Sequence, residues 1–131
     1  MSRAFADTVY WVARINPRDQ WHTTYRAIGG LQLVTSDEVL DEVLAHFSAF
    51  GPAMRSRAAA IIRQILAHPD IEVVPQSRRS FLDALDLYEA RLDKDYSLTD
   101  CSSMAMMKAQ GIIKVLTRDA HFSQEGFTLL P

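Results

Sequence analysis

Four carboxylates, Asp7, Glu42, Asp100 and Asp119, are far apart in this sequence, yet each stands where an apolar run gives way to a helix or a turn. Asp7 follows Ala4-Phe5-Ala6, and Asp119 follows the run from Ile112 to Thr117. Asp100 opens the helix before that run, and Glu42 lies about one turn into the helix after Leu31 to Thr35. In a parallel sheet these are the ends at which open α/β folds place their ligands. Carboxylates gathered there repel one another and raise each other's pKa unless a cation sits among them. Hard cations such as Mg²⁺ take oxygen ligands and keep several waters, so a few carboxylates make a sufficient cage. Such a site suits phosphodiester hydrolysis, where the metal activates water and offsets transition-state charge.

Each residue also has a simpler role. Asp7 can cap the first helix, Asp100 can complete a capping box with Ser97, and Asp119 can be a turn aspartate. What favours a shared site is strand order: Asp7 ends the first strand and Asp119 the fourth, and in doubly wound sheets these are often neighbours. On the helix of Glu42, Glu38 falls nearly opposite the apolar stripe and is expected to be solvated, whereas Asp41 and Glu42 border the stripe on either side. Periodicity does not choose between those two.

The elements that position these residues alternate. Arg3 to Asp7, Leu31 to Thr35, Ile71 to Val74, Ile112 to Leu116 and Phe127 to Leu130 read as strands. Helices are expected over Thr8 to Ile15, Gln20 to Ile28, from Thr35-Ser36-Asp37-Glu38 (a capping-box spacing) onward, Ala53 to Ala67, Ser77 to Leu92 and Ser97 to Gln110. Val39, Leu40, Val43, Leu44 and Phe47 form one inward stripe; Phe81, Leu82, Leu85 and Tyr88 form another. The pattern predicts a three-layer α/β/α domain with a central, mostly parallel sheet of about five strands. With no repeat or linker-like segment, one domain is expected over all 131 residues.

Composition narrows the functional classes. The 48% hydrophobic and 23% charged content argues against disorder, and no apolar run is long enough to cross a membrane. No basic segment followed by a hydrophobic stretch opens the sequence, so no signal peptide is expected. A lone cysteine, Cys101, excludes an internal disulfide and fits a cytoplasmic protein. A net charge of −2 gives no support to simple coating of nucleic acid by bulk electrostatics. Bound metal and local arginines would have to supply the positive field.

Other reactive side chains have structural readings. Cys101, Ala105 and Ala109 recur at helical spacing and suit close packing on the sheet, which disfavours Cys101 as a nucleophile. His22, His46 and His68 have no zinc-ligand spacing. His121, beside the acidic set, reads as a turn or packing residue. Arg55, Arg57, Arg63, Arg78 and Arg79 read as solvated surface, with phosphate contact or an acidic partner as the functional alternative. A receiver-like signalling domain would need a phosphoacceptor aspartate after the third strand, and Val73-Val74-Pro75-Gln76 has none.

With these residues in view, the chain resembles the PIN-domain nucleases, particularly VapC-type toxins of toxin–antitoxin pairs. The stretches that carry the resemblance are FADTVYWVA, TSDEVLDEVL, DYSLTDCSSMAMM and VLTRDAHFSQEGF. The resemblance implies that Asp7, Glu42, Asp100 and Asp119 form an acidic Mg²⁺ or Mn²⁺ site, choosing Glu42 over Asp41. Asp95 is implied as a further acidic candidate, and Thr8, Ser36 and Thr117 as hydroxyls that orient ligands or water. It also implies a metal-dependent endoribonuclease restrained by a small antitoxin that covers the acidic pocket, and a homodimer. The alternatives within the resemblance are a non-catalytic PIN-like interaction module and a nuclease acting on another nucleic acid.

Overall fold

The computed structural model describes residues 1–131. Its strands are β1 (Ser2–Ala6), β2 (Leu31–Ser36), β3 (Ile71–Val74), β4 (Lys114–Leu116) and β5 (Thr128–Leu130). They form one sheet in the order β3-β2-β1-β4-β5, and every pairing is parallel. The helices are α1 (Thr8–Ile15), α2 (His22–Arg26), α3 (Asp37–Phe47), α4 (Pro52–Ala67), α5 (Arg78–Ala90), α6 (Leu98–Gln110) and α7 (His121–Gln124). They fall into two groups, α1, α3 and α4 in mutual contact and α5 against α6, giving the three-layer α/β/α architecture that the alternating pattern predicts.

The central strand β1 explains the placement of the acidic residues. Ala4, Phe5 and Ala6 are completely buried, as a strand covered on both faces must be. Ala6 is in register with Leu116 of β4, so the next residues of the two strands, Asp7 and Thr117, emerge side by side. The neighbourhood of the first and fourth strands, expected from strand order, is thus present. Gly111 ends α6 in the left-handed conformation (φ 67°), and the chain turns directly into β4.

Several expectations change. The helix start after β2 is shifted by one residue: Ser36, not Thr35, is the N-cap and accepts the Val39 amide at 3.2 Å. Thr35 instead points inward, donating to the Ala6 carbonyl and accepting from Trp11 Nε1. Glu38 is therefore not a capping-box partner and is not solvated. It is half-buried, its Oε2 accepting from Ser102 Oγ at 2.5 Å, because α6 packs across the flank of α3 that periodicity assigns to water.

The inward face of α5 also differs. Ala84 is its buried residue, while Leu82 and Tyr88 are 45% and 47% exposed and Phe81 and Leu85 are only half-buried. The one fully buried position of α5 is thus a small residue, with Leu87 packed partly buried against the core. On α3, Leu44 is likewise exposed, while Val39, Leu40, Val43 and Phe47 are buried as expected. The short helix α7 was not legible in a four-residue span.

Near the edge strand β5, Glu125 is held in a second polar arrangement. Its side chain is 5% exposed and is met by the Arg91 guanidinium and the Lys108 ammonium. Tyr96 Oη donates to the same carboxylate at 3.1 Å. The Arg91 hydrogen bond, above all, drives the Glu125 carboxyl down to about 2.

Candidate metal centre

A cleft of about 480 Å³ opens at the carboxyl ends of β1 and β4, and Asp7, Glu42, Asp100 and Asp119 all line it. The four expected acidic residues are brought to one place by three different local devices. Asp7 occupies the N-cap position of α1, yet its side chain makes no capping hydrogen bond. Thr117 Oγ1 donates to Asp7 Oδ2 at 2.8 Å instead. The bland reading of Asp7 as a helix cap therefore describes its backbone only.

Asp100 does both things. It forms the capping box with Ser97, its Oδ2 accepting the Ser97 amide at 3.0 Å, and it faces the cleft. Asp119 is a turn aspartate whose Oδ1 accepts the His121 amide at 2.9 Å. Glu42 receives a hydrogen bond from Thr8 Oγ1 at 2.7 Å, the first residue of α1 reaching across to α3. Asp41 is exposed and lines a separate, smaller cavity with Glu38 and Phe81.

Electrostatics set Asp7 apart. It is 6% exposed and takes part in no ion pair. Burial raises its carboxyl from 3.8 to about 6; the Thr117 hydroxyl and the Thr8 amide oppose that rise, and the charges of Asp100 and Glu42 add to it. The Asp100 carboxyl is also raised, first by burial and then by Asp119 and Glu42. Hard oxygen donors, one of them buried without a counter-charge, fit a divalent cation such as Mg²⁺ or Mn²⁺. The nearest potential cation within the protein is His121, whose Nδ1 lies 3.1 Å from Asp119 Oδ1 and 3.6 Å from Asp100 Oδ2.

Ligand atoms of Asp100, Asp119 and His121 can all lie within 4.8 Å of one another. The turn reading of His121 is correct for its backbone, but its ring also stands against two of the acids, which no spacing rule announced. Of the other expected residues, Thr8 and Thr117 touch acids, whereas Ser36 is a buried helix cap with no bond to them. Asp95 is exposed and does not line the cleft. The cleft adds residues that the sequence reading did not single out, notably Asp19, Trp21 and Arg118. They come from the α1–α2 loop and the β4 turn, and only the fold brings them together.

The family model described as the PIN domain matches residues 4–127. Among solved structures, the chain is similar to the crystal structure of Mycobacterium tuberculosis VapC20, a sarcin–ricin loop cleaving toxin. The two share 25% identity, 97% of each chain is covered, and the TM-score is 0.84. No curated protein sequence matches. No helix is long and apolar enough to cross a membrane.

Proposed function

The chain belongs to the PIN-domain family, and from that premise we propose that it is a metal-dependent endoribonuclease, the toxin of a VapBC-type toxin–antitoxin pair. The observation that carries this reading is the convergence of Asp7, Glu42, Asp100 and Asp119 on one cleft, with Asp7 buried and unpaired. Asp7, Glu42, Asp100 and Asp119 would hold Mg²⁺ or Mn²⁺. A divalent ion bound there supplies Lewis acidity to the phosphodiester and lowers the pKa of water.

The chain's own residues account for the rest. Thr117 fixes the rotamer of Asp7, and Thr8 fixes Glu42, so both carboxylates are held before substrate arrives. The capping box holds Asp100 to the first turn of α6, leaving its second oxygen for the cleft. The His121 amide holds Asp119 on one oxygen in the same way, with the His121 ring alongside. No side chain need act as nucleophile: hydrolysis adds water across the P–O bond, and the leaving oxygen takes up a proton.

VapC20 is described as cleaving the sarcin–ricin loop, so a structured ribosomal RNA loop is the first substrate to offer. A small antitoxin covering the acidic cleft and a second copy of the chain complete the proposal as partners, in a cytoplasmic setting. Exposed Leu82, Tyr88 and Leu92 near α5 are apolar surface for such contacts. The test is incubation of purified protein with total RNA and Mg²⁺ or Mn²⁺, with and without EDTA. Discrete cleavage that EDTA abolishes is expected; intact RNA under every metal condition refutes the assignment.

A further inference from the structure

We propose that Arg118, laid flat on Trp21, is the residue that receives an RNA backbone phosphate at the mouth of the acidic cleft, with Trp21 as its positioning residue. The inference rests on the ribonuclease reading above and adds how a polyanion enters a negative site. Five carboxylates line the cleft, Asp7, Asp19, Glu42, Asp100 and Asp119, against one permanent cation, Arg118. Apart from a bound divalent ion, Arg118 is the one group of that wall that attracts a phosphodiester rather than repelling it.

Arg118 is exposed and is engaged in no ion pair; the Tyr25 hydroxyl beside its guanidinium leaves its charge uncompensated. Its position is nevertheless defined, since the guanidinium carbon lies 3.8 Å from the Trp21 ring centroid. Trp21 is fixed in turn: its amide donates to Asp19 Oδ1 at 2.8 Å, and its ring packs against the core. A planar guanidinium stacked on one face keeps its N–H edge for a bidentate phosphate contact.

The arginines of α4 and α5 are poorer candidates. Arg57 donates to the Ile15 carbonyl at 2.8 Å, Arg55 to the Ser48 carbonyl at 2.9 Å, and Arg79 pairs with Asp83. Arg78 lies over Phe81, and neither it nor Arg63 lines the cleft. Arg118 also lies next in sequence to Asp119, which ties the phosphate contact to the acidic set by a single backbone step.

The test measures fluorescence anisotropy of a fluorescein-labelled sarcin–ricin hairpin RNA across a salt series. It is run with Mg²⁺ in an Asp7→Asn background, so that binding is read without cleavage. Arg118→Ala should weaken binding about tenfold and flatten the salt dependence by about one phosphate contact. Arg118→Lys should keep the salt slope but recover only part of the affinity, since a point charge lacks the stacked fork. Trp21→Leu should weaken binding while leaving the slope near the parent's. In the cleaving protein, Arg118→Ala should raise KM with kcat little changed, and Mg²⁺ affinity by calorimetry should not fall. Equal affinity and slope for parent and Arg118→Ala would overturn the assignment of Arg118 alone. If the parent binds no RNA and the unsubstituted protein cleaves none, the ribonuclease reading fails and this inference with it.

Discussion

Asp7 and Glu125 are both acids taken out of water, and the fold treats them in opposite ways. Glu125 is given an arginine, a lysine and a tyrosine, and its carboxyl is driven down to about 2. Asp7 is given one threonine hydroxyl and two acidic neighbours, and its carboxyl is pushed up to about 6. The same chain can therefore neutralise a buried acid from within. Asp7 is left unpaired, and an isolated buried carboxylate is costly; under the proposed function the compensating charge comes from a bound cation. Glu125 is neutralised by folding alone, while the proposed function has the acidic cleft completed by a bound ion.

Asp7→Asn should break the contrast most severely. Under the proposed function it removes a ligand charge, and RNA cleavage with Mg²⁺ or Mn²⁺ should drop by at least about a hundredfold, the scale seen when one fixed stabilising group is lost. Undiminished cleavage by purified Asp7→Asn would remove Asp7 from the site.

The same substitution should act oppositely on stability. A carboxyl raised from 3.8 to about 6 stabilises the folded state only while protonated, and that contribution is lost as pH rises through 6. Metal-free Asp7→Asn should therefore be more stable than the metal-free parent at pH 7, by up to roughly 3 kcal/mol at ~1.4 kcal/mol per unit. The advantage should fade below pH 4, and urea melts at both pH values read it directly.

Glu125 should give the mirror image. Its depressed carboxyl stabilises the fold fully above its ordinary value of 4.5, and the contribution is lost as pH falls toward 2. Glu125→Gln should cost about 1–2 kcal/mol at pH 7, the scale of lost charged hydrogen bonds, and progressively less in acid. An equal cost at pH 7 and pH 2.5 would show that packing, not charge, holds that corner.

Thr117→Val is the gentlest probe. It removes the hydroxyl that orients Asp7 while keeping shape, and Mg²⁺ affinity by calorimetry should fall about tenfold, as for other groups that orient metal ligands. No change would mean that the register of β1 and β4 alone suffices to aim Asp7.

Much of this was legible before the fold was seen. Asp7 and Asp119 could be joined because buried parallel strands are continuous apolar runs, and the first and fourth strands are often neighbours in doubly wound sheets. Local periodicity failed where a second helix intervened. Glu38 lies on the side of α3 that a lone helix would give to water, and α6 covers it. Leu82 and Tyr88 show the converse, an apolar stripe whose cover is incomplete. Arg118 over Trp21 spans ninety-odd residues of sequence, and nothing in either local pattern carries that contact. His121 was visible as a turn residue, but its ring position against Asp100 depends on how α6 meets the β4 turn.

The capping box of α6 gives the cleft a reporter. The amide of Ser97 is hydrogen-bonded to Asp100 Oδ2, so its exchange with deuterated solvent tracks fraying of that helix end. An ion held by the second oxygen of Asp100 would steady the carboxylate and, with it, this cap. Under the proposed function, a backbone proton outside the cleft would thus report on occupancy within it: slower exchange of the Ser97 amide on adding Mg²⁺ is the expected sign.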